Sequence, residues 1–106
     1  MMSVPLPKKY LDLIGSNGLF EGFTAGMPGY IRWWGLEEIA TVNSELEVEQ
    51  LAPGFLGFGS DGDGEMIAFD SAGAVYMLPF IGMEPQYADR IADSFEQLAR
   101  RFKFRT

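Results

Sequence analysis

The sequence predicts an α+β fold: an antiparallel β-meander with helices packed on it, forming a single domain over residues 1–106. Three observations carry that expectation. The stretch 51–80, LAPGFLGFGSDGDGEMIAFDSAGAVYMLPF, alternates three apolar segments with two glycine-containing acidic connections. Tyr87, Ile91, Phe95, Leu98 and Phe102 recur at the spacing of one helix stripe. A chain of 106 residues that is 47% apolar can bury a core of its own without staples.

The elements follow in chain order. Pro7 suits a helix start, Tyr10, Leu11 and Ile14 give its apolar side, and Gly15 offers a stop, so a short helix is expected before residue 16. Residues 16–30 carry Asn17-Gly18, Gly22, Gly26 and Pro28-Gly29, which is loop chemistry, with Phe20 and Phe23 expected to anchor the loop on the core. Tyr30 to Trp34 reads as a strand, with Tyr30, Arg32 and Trp34 on one face and Ile31 and Trp33 on the other. Gly35 breaks it. Leu36, Ile39 and Ala40 then give a helix near 36–43, with Glu37 and Glu38 at its positive end and Asn43-Ser44 as its stop. Glu45, Glu47 and Glu49 alternate with Leu46 and Val48, as a short strand or an extended acidic linker would. Three meander strands follow, over Phe55–Phe58, Met66–Phe69 and Ala74–Phe80. Their turns are Ser60-Asp61-Gly62-Asp63-Gly64 and Asp70-Ser71-Ala72-Gly73. Met66, Met77 and Met83 read as core gap-fillers. A long helix is expected to close the chain, with Ala88, Ala92 and Ala99 beside its stripe, Asp89 and Asp93 near its start and Arg100, Arg101, Lys103 and Arg105 at its end.

Composition excludes several function classes. There is no cysteine, so disulfides, thiolate metal sites and cysteine nucleophiles are absent, and a reducing cytoplasm is the natural home. There is no histidine, which removes the usual general base and the commonest metal ligand. No apolar run approaches the ~18 residues a membrane span needs, and no signal peptide is visible at the start. The net charge of −7 disfavours phosphate backbones. The four basic residues near the C-terminus read as a solvated helix cap. The glycine-rich segments lack the Lys-Ser/Thr of a phosphate loop.

The charge is also unevenly placed. Between Arg32 and Arg90 there is no Lys or Arg, but there are eleven carboxylates. Such a field suits a basic partner better than nucleic acid. Within it, Asp61, Asp63 and Glu65 share one exposed hairpin, where turn chemistry is the plainest explanation. Alternate acids can also present oxygens to Ca²⁺, but Asp61-Gly62-Asp63-Gly64-Glu65-Met66 lacks the later ligands of a calcium loop, and no metal or cofactor site is assigned. Paired carboxylates could in principle hydrolyse glycosides, but nothing in the sequence indicates the cleft this needs. Adjacent strand residues face opposite ways, so of Trp33 and Trp34 one is expected in the core and the other exposed, a candidate interface anchor.

Four pieces in this order resemble the SUKH superfamily, named after a fungal cell-wall-assembly and killer-toxin-resistance regulator. They are Leu6-Pro7 with Tyr10 and Asn17-Gly18; Trp33-Trp34-Gly35-Leu36-Glu37-Glu38-Ile39; Gly59-Ser60-Asp61-Gly62-Asp63-Gly64-Glu65 followed by Ala68-Phe69-Asp70; and Ser94-Phe95-Glu96-Gln97-Leu98. Together they cover nearly the whole chain. The sequence departs from the family in starting almost at Leu6-Pro7 and in its compact region between Asn43 and Phe55. The resemblance implies an α+β fold without a catalytic centre. It also implies an immunity protein that neutralises a toxin, often a nuclease, by binding it, or a regulatory scaffold with a host partner.

The expected activity is therefore non-enzymatic binding of a basic protein partner. Its candidate contact residues are Glu45, Glu47, Glu49, Asp61, Asp63, Glu65 and Trp34. Self-association through an exposed sheet edge is a further possibility the pattern leaves open.

Overall fold

A computed structural model describes residues 4–17 and 21–103, the side chains of 14–17 excepted. The elements are α1 (Lys8–Asn17), β1 (Glu21–Thr24), β2 (Tyr30–Trp33), α2 (Leu36–Glu45), α3 (Val48–Leu51), β3 (Phe55–Ser60), β4 (Glu65–Asp70) and β5 (Val75–Pro79). After a 3₁₀ turn at Pro85–Tyr87 come β6 (Asp89–Ala92), α4 (Phe95–Ala99) and β7 (Phe102–Lys103). The seven strands form one sheet in the order β6-β5-β4-β3-β2-β1-β7, and every neighbouring pair is antiparallel. The expected α+β meander is its centre.

One face of the sheet carries Trp33, Phe58 and Phe69, and α1 and α4 cover it. The Tyr10 ring meets Trp33, Phe58, Phe69 and Phe95 edge-on, at centroid distances of 5.1 to 6.3 Å. Phe58 and Phe69 stack at 3.9 Å. The Tyr10 hydroxyl donates to the Trp34 carbonyl at 2.6 Å. Burial, helped by the field of Glu38, pushes that hydroxyl far above its ordinary pKa, so it stays protonated and donating. The opposite face buries Met66, Ala68 and Leu78. Met66, Met77 and Met83 are all core residues, as expected.

The structure departs from expectation where long-range pairing overrides local pattern. α1 runs past Gly15 to Asn17, and Gly18 and Phe20 lie outside the described residues. The supposed loop over 16–30 contains β1, because Glu21–Thr24 pairs with Tyr30–Trp33. The Thr24 hydroxyl holds the connection by accepting from the Gly29 amide at 2.7 Å. Phe23 consequently does not anchor in the core. It is 47% exposed and packs edge-on against Tyr30.

Asn43 does not stop α2, which continues to Glu45. Its side-chain amide instead accepts from the Gly57 amide and donates to the Gly57 carbonyl, both at 2.8 Å. Asn43 thus acts as a surrogate strand residue, pairing with β3 just beyond the last β2 contact, where the Trp34 amide donates to the Phe58 carbonyl. Glu45, Glu47 and Glu49 form neither a strand nor an extended linker. They span the α2–α3 junction, where Glu47 adopts a left-handed conformation at φ 54°.

The largest correction concerns the C-terminal segment. Residues 87–102 are not one helix. The segment 89–92 adds β6 to the edge of β5, and only Phe95–Ala99 is α-helical. Ser94 starts that turn, its hydroxyl accepting from the Gln97 amide at 3.1 Å, while the Gln97 side chain accepts from the Asp93 amide at 2.7 Å. Of the residues in the apparent stripe, Phe95, Leu98 and Phe102 are buried, Ile91 is half-buried in β6, and Tyr87, in the 3₁₀ turn, is exposed. The basic residues are accordingly dispersed. Arg101 donates to the Met27 carbonyl at 3.0 Å, Lys103 lies in β7, and Arg105 is outside the described residues.

Candidate partner-binding site

The six carboxylates named from sequence do not share one surface. Glu45, Glu47 and Glu49 sit on the α2–α3 junction, before β3 begins at Phe55. Asp61, Asp63 and Glu65 lie beyond the other end of β3. A six-residue strand separates the groups by roughly 17–20 Å. Trp34 belongs to neither. It is 4% exposed, its ring lies 6.4 Å from Phe80, and a Cβ on Gly57 would come within 3.1 Å of it. Both tryptophans are buried, so the expected exposed tryptophan anchor is absent. Trp34 follows the end of β2, and both faces of this sheet are covered at that point.

The hairpin end of the sheet is the more organised of the two acidic regions. Asp61 Oδ1 accepts from the amides of Asp63 at 2.8 Å and Glu65 at 3.0 Å, which closes the β3–β4 turn. Gly62 and Gly64 adopt positive φ, 76° and 94°. The Ser60 hydroxyl accepts from the Gly62 amide at 2.9 Å. Glu65 stands opposite Pro79 on β5, and Asp89 stands opposite Met77. Partial burial, with Asp61 and Asp89 nearby, holds the Glu65 carboxyl above the usual carboxylate range. Asp89 is therefore a fourth member that a helical reading of residues 87–102 could not place.

Among the described residues, ion pairs join Lys8 to Asp12, Arg32 to Glu38 and Arg90 to Asp93. None reaches Asp61, Asp63 or Glu65. Also among the described residues, no group of three or more carboxylates is arranged to hold a metal ion. On one flank of the hairpin, Tyr30 lies beneath Gly62, bonds through its hydroxyl to Glu21, and packs against Phe23. On the other flank, the Phe80 amide donates to the Gly64 carbonyl at 3.0 Å, which ties the segment after β5 to the hairpin tip.

The α+β fold agrees with the family comparison. The SMI1 / KNR4 family (SUKH-1) model matches residues 1–101. The chain belongs to the SUKH-1 family. Among curated proteins no match is found. In this SUKH-1 chain, the described helices include none long and apolar enough to cross a membrane.

A second feature of this SUKH-1 chain is an open groove of about 360 Å³ between α1 and α4, lined by Lys9, Leu13, Phe95, Glu96, Ala99 and Arg100. It lies on the helix side, in mixed charge. The hairpin end carries charge of one sign, on Asp61, Asp63, Glu65 and Asp89.

Proposed function

We propose that this chain is a non-enzymatic protein-binding module of the immunity type, which neutralises a basic, toxin-like protein by covering it. The observation that carries this reading is the hairpin end: Asp61, Asp63, Glu65 and Asp89 converge there with no cation paired to the first three among the described residues. Like charges gathered at this end of the sheet cost stability, and a partner's cations would offset that on binding. The mechanism is steric and electrostatic. Opposite charge speeds encounter, and close packing then holds the complex. A nuclease active site, being basic, is one surface such an acidic hairpin would cover in place of a phosphate backbone.

The test is affinity capture from the protein's own cells with washes of rising salt. The expected result is one basic protein that elutes with salt and whose toxicity the chain suppresses when the two are recombined. Recovery of a housekeeping complex that does not elute with salt would replace this reading with that of a regulatory scaffold in the cytoplasm. Recovery of the chain alone would replace it with self-association.

A further inference from the structure

The acidic hairpin supplies attraction, but affinity needs an apolar anchor, and Trp34 is buried. Ile81 is 93% exposed, the most exposed large apolar side chain among the described residues. A single exposed aliphatic residue is ordinary on a protein surface. The way Ile81 is held is not. Phe80, immediately before it, packs towards the Trp34 ring and its amide is bonded to Gly64 in the hairpin. Gly82, immediately after it, turns the chain at φ 72°, and Met83 is buried in the core. The backbone is pinned on both sides, so the side chain points outward from a fixed base. A preformed anchor of this kind loses little freedom when it binds.

The charge around Ile81 has one sign. Asp63 and Glu65 lie in the hairpin that Phe80 is bonded to, Glu84 follows in the same turn, and Asp89 begins β6. The adjacent cation, Arg90, stands opposite Tyr76 and is tied to Asp93 at 3.0 Å. The other flank of the hairpin differs. There the Phe23–Tyr30 pair is accompanied by Glu21, by Arg32, which is tied to Glu38 at 3.0 Å, and by Lys103 directly across the strand from Phe23. That flank is mixed in sign, so a basic partner would be drawn more strongly to the Ile81 side.

We propose that Ile81 is the anchor of the partner interface, entering an apolar socket on a basic protein while Asp63, Glu65, Glu84 and Asp89 meet the cations around that socket. The inference rests on the protein-binding reading above and fixes where on the molecule it takes place.

Site-specific photocrosslinking in the protein's own cells tests it. A benzoylphenylalanine is placed at position 81 in one variant. In a second it is placed at position 51, where Leu51 is exposed at the far end of β3. The expected result is a crosslinked basic polypeptide from position 81 and none from position 51. Its yield should fall about tenfold when Asp63→Asn, Glu65→Gln and Asp89→Asn are combined, since steered association commonly changes by that factor or more. Ile81→Ser should leave the melting temperature within about 2 °C of the parent, because an exposed side chain contributes little to stability. A basic adduct from position 51 alone would overturn this inference and leave the basic-partner reading standing. No adduct from either position would overturn both. An adduct from position 81 that ignores the three neutralising changes would overturn the charge requirement and with it the proposal.

Discussion

The two hairpins of the central meander are closed by the same device but differ in charge. Asp61 Oδ1 accepts from the amides two and four residues on, those of Asp63 and Glu65. Asp70 Oδ1 does the same for Ala72 and Ala74, at 2.9 Å each. Each turn contains a glycine at positive φ, Gly62 and Gly73. The β4–β5 turn needs nothing more, and its remaining residues are Ser71 and Ala72. The β3–β4 turn adds Asp63 and Glu65, whose side chains hold no part of the turn. The β4–β5 hairpin, whose one carboxylate is Asp70, is thus an internal control for the more acidic β3–β4 hairpin. Asp61 and Asp70 are explained by turn chemistry. Asp63 and Glu65 are surplus to it, and the charged form of Glu65 is disfavoured by partial burial and by Asp61 and Asp89 nearby.

The largest expected effect breaks the comparison through binding. Reversing Asp61, Asp63 and Glu65 to Lys should slow association with the captured basic partner by about tenfold or more at low salt, an effect that fades as salt rises. Asp70→Lys should leave the association rate within about twofold, because its turn lies at the opposite end of β4 from the acidic tip. Stopped-flow association rates across a salt series would show it. Equal slowing by both changes would mean that net charge, not the hairpin, governs encounter.

The next effect is on stability and should be the same in both turns. Asp61→Ala and Asp70→Ala each remove one acceptor from two backbone amides, so each should cost about 1–2 kcal/mol. For a domain of this size that lowers the melting temperature by roughly 4–8 °C per kcal/mol. Asp61→Asn keeps an acceptor oxygen and removes a charge, so it should cost less than Asp61→Ala. If Asp61→Asn were as damaging as Asp61→Ala, the carboxylate charge itself would be holding the turn, and Asp61 would not be equivalent to Asp70. Thermal melts of the three variants decide this.

The same meander shows how much of the fold was legible. β3, β4 and β5 were read from sequence because their signals are local: apolar runs bounded by Asp and Gly at fixed offsets. The segment from 85 to 103 is not legible in this way, because its apolar residues recur at helical spacing while belonging to four elements, the 3₁₀ turn, β6, α4 and β7. The contrary signal lay in Ser94-Phe95-Glu96-Gln97, a helix start placed inside the supposed helix. Glu45, Glu47 and Glu49 misled in another way, since Glu47 in a left-handed conformation breaks any alternation. Asn43 was legible only as a helix stop, because its two bonds to Gly57 depend on where β2 ends, which no local pattern encodes. Of the candidate site, Asp61, Asp63 and Glu65 were found from charge alone. Asp89 and Ile81 required the position of β6 and the burial of Phe80's neighbours, and the choice of Trp34 failed because alternation says nothing of what covers the second face.

The smallest effect sharpens the claim that charge at the acidic hairpin is carried against stability. Glu65 has its folded pKa raised, first by burial and then by Asp61 and Asp89. A carboxyl whose folded pKa lies above its unfolded value stabilises the protein fully below the unfolded value, and that contribution is lost as pH rises through the folded one. The parent protein should therefore lose a little stability as pH climbs out of the carboxylate range. Glu65→Gln stays uncharged and should flatten that part of the profile. Near neutral pH it should match or exceed the parent by up to about 0.5 kcal/mol, the usual limit for a surface substitution. Ser71→Glu in the β4–β5 hairpin would be the converse, adding a second charge to a turn whose one carboxylate is Asp70. Denaturant unfolding across that pH range measures both. A Glu65→Gln variant less stable than the parent at neutral pH would show that the carboxylate contributes to the fold, and the surplus charge of this hairpin would then need no partner to explain it.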